Sequence, residues 1–437
     1  LIQMLLIYTT KITPRIRYIF YHIFFKMLNI QISLTDSVSN FVAFNSPKLS
    51  YSKKPLGNEL FFSSCSLLFE QGIQNSLVKV FKWKKYPVFF QVSSQSIIPF
   101  DLFAASFYLI TRYEEHLPHI KNVEGQFTSS ESIAGKNNFL DKPIIDYWVL
   151  ELRSIIKEKF PEIIISSSAS KKIVPILEVS TAYKFKYKSA IFSVYQAIKS
   201  MWKLNFDNLF DQILVLFRFK NDPFLEYDFI INFFKKNNLS LVFFFRFTKY
   251  ALDHSSESIF NSSFQSLIKN ISDKSILGLL VSGFAQKKEK FLKKEIDGLF
   301  NLTHKNLKKV RLNNGIISIS EIYPLLVQQE ILEDYSMGYK DSIGYRASTS
   351  LPFYYYDLIN EIKTPLKIFP IVATEESLKQ KNETKGFKKI LDLYSSLPLQ
   401  NSVHAFTFSP KVISKSKEDI NLRESFLKYI SEYKKRK

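Results

Sequence analysis

An arginine set among tyrosines and short hydroxyl side chains marks the most chemically suggestive stretch of this 437-residue chain. Between Glu330 and Phe353, the residues Asp334, Tyr335, Tyr339 and Arg346 are punctuated by Gly338, Gly344 and Pro352, and the segment runs into Phe353-Tyr-Tyr-Tyr-Asp357. Strand ends carrying an Arg, an Asp and several Tyr are how α/β enzymes line a sugar-sized pocket. The same residue types equally fit a buried ion pair, Arg346 with Asp334 or Asp357, that only holds two loops together. Residue types do not choose between the two. A second group, Arg112, Glu114, Glu115, His116 and His119, has superficially ligand-like spacing. Pro118 breaks any helix between His116 and His119, so salt bridges at a domain interface are the expected role there.

Composition narrows the chemistry further. Sixty Lys and Arg against 40 Asp and Glu give a net charge of +20, which attracts phosphate-rich partners or anionic lipid headgroups. The lysines are scattered, the one dense run is Lys434-Lys-Arg-Lys437, and no helix-turn-helix, zinc-finger or single-strand-binding signature is present. No specific nucleic-acid partner is expected; most of this charge reads as solvated surface, with loose attraction to an anionic membrane second. The 42 Phe and 23 Tyr are what an AT-rich genome produces and are weak evidence for ligand platforms. A single Cys65 excludes an intrachain disulfide and a cysteine-cluster metal site. Beside Phe61, Phe62, Leu67 and Leu68 it is expected to be buried and inert. The apolar run Ile16–Leu28 contains Arg17, His22 and Lys26; it is too short and too polar to cross a membrane and lacks a small-residue cleavage site. A cytoplasmic location is expected, either free or peripheral at the inner membrane.

These residues need elements to position them. Leu5–Tyr8 reads as a strand, and Thr13-Pro14 as the N-cap and first position of a helix reaching Asn29. Short strands follow at Ile30–Leu34, Phe41–Phe44, Lys48–Ser50, Leu77–Trp83 and Val88–Val92, with helices from Pro99-Phe-Asp101 to Tyr113 and over Asp146–Lys159. Ser166–Ser170 is the linker suggested by composition. Beyond it, strands at Ile173–Val179, Leu241–Phe247, Ile276–Leu280 and Lys309–Leu312 alternate with helices at Ala190–Lys203, Phe206–Phe219, Tyr227–Lys236, Ser263–Ser272, Lys287–Leu299 and Ser320–Gln329. Such alternation implies parallel strands joined by crossover helices. The expected fold is α/β: an N-terminal α+β domain over residues 1–170, then a (β/α) barrel, complete or incomplete, over residues 171–437. There are no internal repeats.

Several strings resemble a bacterial branch of the polysaccharide deacetylases, in which a characteristic N-terminal domain precedes a deacetylase-type barrel. They are Met4-Leu-Leu-Ile-Tyr-Thr-Thr-Lys-Ile-Thr-Pro-Arg15, Pro55–Glu59, Leu68–Ile73, Pro99–Pro118, Pro175-Ile-Leu-Glu-Val-Ser-Thr-Ala-Tyr183, Asp334–Tyr339 and Gly344-Tyr-Arg-Ala-Ser-Thr349. The first string opening at Met4 would make Leu1-Ile2-Gln3 an artefact of start-site choice.

The resemblance implies metal-dependent removal of acetyl groups: one Asp and two His hold a divalent ion, a second Asp acts as base on metal-bound water, and a C-terminal His acts as acid. Most of that set is absent. In Leu177-Glu178-Val179-Ser180-Thr181, Glu178 stands for the base and Ser180 replaces the metal-binding Asp; Gly278–Gly283, where a ligand His is expected, contains none, and His254 and His304 lack ligand spacing. No metal and no other cofactor is expected. The resemblance gives Arg346 the role of buttressing the base or touching substrate, and His404 that of the acid. A lone His on an apolar strand end is more often a core histidine with a satisfied hydrogen bond than a catalyst, and His404 fits that reading. Glu178 lies in an otherwise apolar strand and needs a cation; Arg346 is the expected partner. Tyr335 and His404 are expected around the same cavity, with Asp334 and Tyr339 as further contacts to substrate. Three functions stay open: a deacetylase-like protein of cell-envelope or exopolysaccharide metabolism with impaired hydrolysis, a non-catalytic protein binding a glycan, glycan precursor or biosynthetic partner, and a basic binder of nucleic acid or anionic membrane.

Overall fold

Thr13 and Asp101 show how local sequence sets the first half of the chain. In the computed structural model, the Thr13 side chain accepts from the Ile16 amide, and Pro14 opens helix α1 (Pro14–Phe20), which continues in π-helical turns to Met27. The structure describes residues 4–75, 78–163, 171–249, 257–380 and 383–436. Leu1–Gln3, Leu77, the expected linker Ser166–Ser170, His254 and Lys437 lie outside them.

Strands β1 (Leu5–Thr9), β2 (Ile32–Thr35), β3 (Lys48–Ser52) and β4 (Leu60–Ser63) form a parallel sheet in the order β2-β1-β3-β4. The segment expected as a strand at Phe41–Phe44 is instead part of helix α2 (Val38–Ala43): Ser37 caps it by accepting from the Asn40 amide, and Phe41 docks on Leu6 and Tyr8. One turn of helix with a single buried aromatic mimics a β-like run of apolar residues. A hairpin follows, β5 (Phe81–Trp83) with β6 (Tyr86–Val88). Then come α3 (Leu102–Ile110), the short α4 (Ile133–Lys136) and α5 (Ile144–Lys159). Helix α3 is buried along its whole length. Phe103 on it stacks on Phe20 at 4.3 Å and meets Tyr51 and Phe62 edge-on, so much of the phenylalanine content is core. Asp101 caps α3 and is itself buried, accepting from the Ala104 amide (2.9 Å), the Tyr51 hydroxyl (2.7 Å) and the Cys65 amide (2.8 Å).

The second half alternates as expected. Strand β7 (Lys172–Val179) is followed by α6 (Ala190–Trp202), α7 (Phe206–Leu216) and α8 (Tyr227–Lys236). Then come β8 (Val242–Phe245), α9 (Ser262–Lys274), β9 (Ile276–Val281), α10 (Glu289–Thr303), β10 (Lys309–Leu312), α11 (Ile319–Gln328) and β11 (Glu333–Met337). After β12 (Phe353–Asp357), β13 (Ile362–Ala373), α12 (Glu375–Lys379), α13 (Glu383–Ser395), β14 (Val403–Phe408) and α14 (Ile420–Arg436) complete the chain. The order β11-β10-β9-β8-β7-β14-β13, closed by a β11–β13 pairing, makes a seven-strand parallel barrel. Strand β12 pairs antiparallel with the N-terminal part of β13.

The chain forms two units that are interleaved in sequence. The first holds Leu1–Lys172, Gly344–Pro370 and Ser396–Val403; the second holds Ile173–Ile343, Ile371–Ser395 and His404–Lys437. Expected as consecutive blocks, the halves are not consecutive, because buried polar bonds hold Gly344–Pro370 within the first unit. Asp146 on α5 accepts from the Thr349 hydroxyl (2.6 Å) and from the Ser350 amide (3.0 Å) and hydroxyl (2.5 Å). The Tyr345 amide donates to the Leu140 carbonyl at 2.8 Å. Gly344 makes that approach possible, since a Cβ there would overlap the same carbonyl.

Candidate functional site

Alternation along the barrel strands places Glu178, Phe244, Arg311, Tyr335 and Thr407 on inward-facing positions. Glu178 pairs in register with Phe244, and Phe244 with Gly278. The Phe244 ring occupies the space a side chain at Gly278 would need, so that glycine answers a packing demand. Arg311 crosses the interior. Its Nε donates to Glu178 Oε1, Nη1 to the Tyr335 carbonyl, and Nη2 to the Thr407 hydroxyl at 3.3 Å. Burial raises the Glu178 carboxyl above its ordinary range, Arg311 opposes the rise, and Glu376 adds to it. Glu178, Arg311 and Thr407 are each the penultimate residue of their strands, one step below the C-terminal rim where barrels carry their functional groups.

Above this layer lies a cleft of about 620 Å³. It is lined by residues that follow β7 (Ser180, Thr181), β13 (Glu375, Glu376) and β14 (Ser409, Pro410), and by Phe192, Tyr195 and Lys199 of α6. Buried carboxylates hold its loops. Glu257 accepts from the amides of Ala182 and Tyr183, both at 3.0 Å, and from Lys188 at 2.6 Å. Asp222 accepts from the amides of Lys184, Phe185 and Lys186 at 2.8–3.0 Å. Glu375 accepts from Lys379 (2.5 Å) and from the Ser409 amide and hydroxyl (2.9 and 2.6 Å). Lys184 reaches Ser416, Glu418 and Asp419. A rim tied at this many points is preorganised, which lowers the entropy lost when a ligand binds.

Several expected placements are corrected. Glu178 and Arg346 are not partners: Glu178 takes Arg311, while Arg346, in the first unit, donates to Glu115 through Nε (2.8 Å) and Nη2 (2.5 Å). Nor is Arg346 paired with Asp334 or Asp357. Asp334 accepts from Tyr323 (3.0 Å) and Ser336, and burial pushes its carboxyl up to about 6. Asp357 receives the amides of Ile359 and Asn360 in the β12–β13 turn. Arg112 completes the Glu115 site, giving Nε to Glu115 (2.7 Å), Nη2 to Glu114 (2.8 Å) and Nη1 to the Arg346 carbonyl. Burial alone would raise the Glu115 carboxyl; Arg346 and Arg112 outweigh it and hold the group at about 2. All four residues of this network belong to the first unit.

His404 is the second residue of β14, a strand whose other end meets the cleft. It faces the ring of Tyr394 on α13 at 5.6 Å, is fully buried, and neither ring nitrogen has a hydrogen-bond partner. It is a core histidine, although without the satisfied hydrogen bond expected of one. Tyr335 points its hydroxyl to Glu333 at 2.7 Å and packs on Phe244 inside the barrel. Asp334, Tyr335 and Tyr339 are all buried, and none lines the cleft. Cys65 is half-buried rather than buried. Arg311 escaped the sequence reading, yet a signal existed: Lys309 and Arg311 alternate with Val310 and Leu312, putting two cations on one face of a barrel strand.

Among the described residues no three His, Cys, Asp or Glu side chains converge to hold a metal ion. The residues at this rim, Ser180 among them, do not fit the Asp-and-two-His ion site that the sequence resemblance implies, so no chemical step is assigned to a metal.

Comparison with known proteins places the chain among partial likenesses. Residues 5–161 match DUF7033, a family of unknown function, and no curated protein matches. Among solved structures, a protein assigned as a polysaccharide deacetylase from Mycobacterium smegmatis aligns with a TM-score of 0.37 at 10% identity, over 61% of this chain and 85% of that one. A mutant of a CE4-family pseudoenzyme with restored enzymatic activity aligns at 0.29 and 9% identity, over 61% of this chain and 63% of that one. A GH138 enzyme targeting pectin rhamnogalacturonan II aligns at 0.30 and 9%, over 99% of this chain and 63% of that one. The chain is thus similar to DUF7033 in the sequence of residues 5–161.

Proposed function

We propose that this is a deacetylase-like barrel that binds a glycan or glycan precursor of cell-envelope or exopolysaccharide type without metal-dependent removal of acetyl groups. Ser180 carries the reading. It lies in the cleft wall, where the sequence resemblance puts a metal-binding carboxylate, and a neutral hydroxyl supplies neither the charge nor the ligand strength that activates bound water. The cleft itself supports a sugar ligand. Phe192 and Tyr195 offer ring faces beside Lys, Glu and Asn side chains, the mixture of apolar surface and convergent polar groups typical of small-ligand sites.

The test combines two measurements on the full chain. Acetate release from N-acetylated oligosaccharides is followed with and without added zinc or cobalt, and binding of the same oligosaccharides is followed by calorimetry. The expected result is binding weakened at least about fivefold by Tyr195→Ala, the loss of one stacking face, with no metal-dependent acetate release. Stoichiometric metal with metal-stimulated release would overturn the non-catalytic assignment; failure of every oligosaccharide to bind would overturn the glycan assignment.

A further inference from the structure

Helices α6 and α7 are built inside out. Only Ser200 is buried on α6, and only Gln212 and Val215 on α7. The two helices meet through polar groups: Asn208 Nδ2 donates to the Ser200 hydroxyl and Gln212 Nε2 to the Ser193 carbonyl, both at 2.8 Å. Their apolar residues face away. On α6, Ile191, Val194, Ile198, Met201 and Trp202 recur at helical spacing on the exposed side; Phe206, Phe210 and Ile213 on α7 and Phe217 at its C-terminal end do the same. Trp202 is 87% exposed and Phe219, just past α7, 81%. A contiguous apolar surface of this kind on a folded protein marks a contact with something else.

We propose that this hairpin docks on the surface of a bilayer containing anionic lipid, lying in the interface without crossing it. Charge selects the occupant. The exposed basic side chains Lys199, Lys203 and Arg218 stand beside the apolar face, while the acidic side chains of the hairpin are already taken, Asp211 by Lys220 (2.6 Å) and Asp207 by Lys417 (2.8 Å). Among the described residues no acidic side chain pairs with Lys199, Lys203 or Arg218. A second copy docked by two-fold symmetry would set these cations against their own kind, whereas an anionic leaflet complements them and accepts the aromatics at headgroup depth. None of the described helices is long and apolar enough to cross a membrane, so an interfacial pose is the one the hairpin can take. The cleft-facing residues of α6, Phe192, Tyr195, Gln196 and Lys199, form the stripe next to the apolar one, so docking would bring the cleft to the lipid surface.

The proposal goes beyond glycan binding, and its readout does not use a glycan. The full chain is floated with vesicles of phosphatidylcholine alone or with about 30% phosphatidylglycerol, the fraction setting the surface potential. Expected is co-flotation with the anionic vesicles only, weakened at high salt, and a drop of at least about tenfold in Trp202→Gln/Phe217→Gln/Phe219→Gln with its melting temperature unchanged, as removal of buried apolar area demands. Tryptophan emission gives a second reading that does not depend on the folding of the triple variant. The chain has three Trp, and a blue shift on anionic vesicles that disappears in Trp202→Phe places Trp202 in the interface. Equal binding to neutral vesicles, unaltered binding of the triple variant, absence of binding, or a dimer that the triple variant dissolves without any lipid binding would each overturn the proposal.

Discussion

Arg311 on β10 and Glu178 on β7 form an ion pair across the barrel interior, with Arg311 also bonded to the Tyr335 carbonyl and the Thr407 hydroxyl. The pair takes the place a hydrophobic layer would otherwise fill. Replacing Arg311 by Met leaves a half-buried carboxylate without its cation and is expected to destabilise the protein by about 3 kcal/mol, the low end for a broken buried pair. The double variant Glu178→Gln/Arg311→Met should recover most of that loss. Urea unfolding of the two variants checks this; equal stability of wild type and Arg311→Met would refute it.

Glu115 joins Arg112 and Arg346, and its carboxyl is held at about 2. Its ordinary unfolded value is about 4.3. A depressed carboxyl contributes stability that is complete above the unfolded value and is lost as pH falls toward about 2. Glu115→Gln should therefore be less stable at neutral pH and show a flatter loss on acidification over that window. Unfolding free energies measured across that pH range decide it.

His404 provides an independent acid response. Burial without a partner lowers its pKa from 6.5 to about 3. The unfolded chain takes up a proton near 6.5 and the folded one does not, so the stability present above 6.5 falls as pH drops from there toward about 3. His404→Phe is expected to flatten this part of the profile. An unchanged slope would show that the imidazole titrates freely in the folded state.

Cys65 is half-buried, and burial followed by the nearby charge of Asp101 raises its thiol pKa. Thiolate is the reactive form, so native labelling by a disulfide reagent should be slow at neutral pH and should become fast on unfolding in urea. Equal rates in both states would refute the assignment.

Local information determined much of this protein. The caps at Thr13 and Asp101, the span of α8 and the alternation of strand and helix after residue 172 follow from nearest-neighbour physics: side-chain caps, proline geometry and apolar periodicity. The barrel class followed from that alternation, because parallel strands require crossovers. Partner choice did not follow. Glu178 needed a cation, and Arg346 and Arg311 were chemically equivalent candidates. Only barrel closure brings β10 opposite β7, and long-range bonds such as those from Asp146, Glu115, Leu140 and Arg15 hold Gly344–Pro370 in the first unit. Likewise the sequence marks α6 and α7 as helices but not which face of each is covered. Burial is a property of what surrounds a helix, and here the polar seam through Ser200 and Gln212 is inside and the apolar stripe is not.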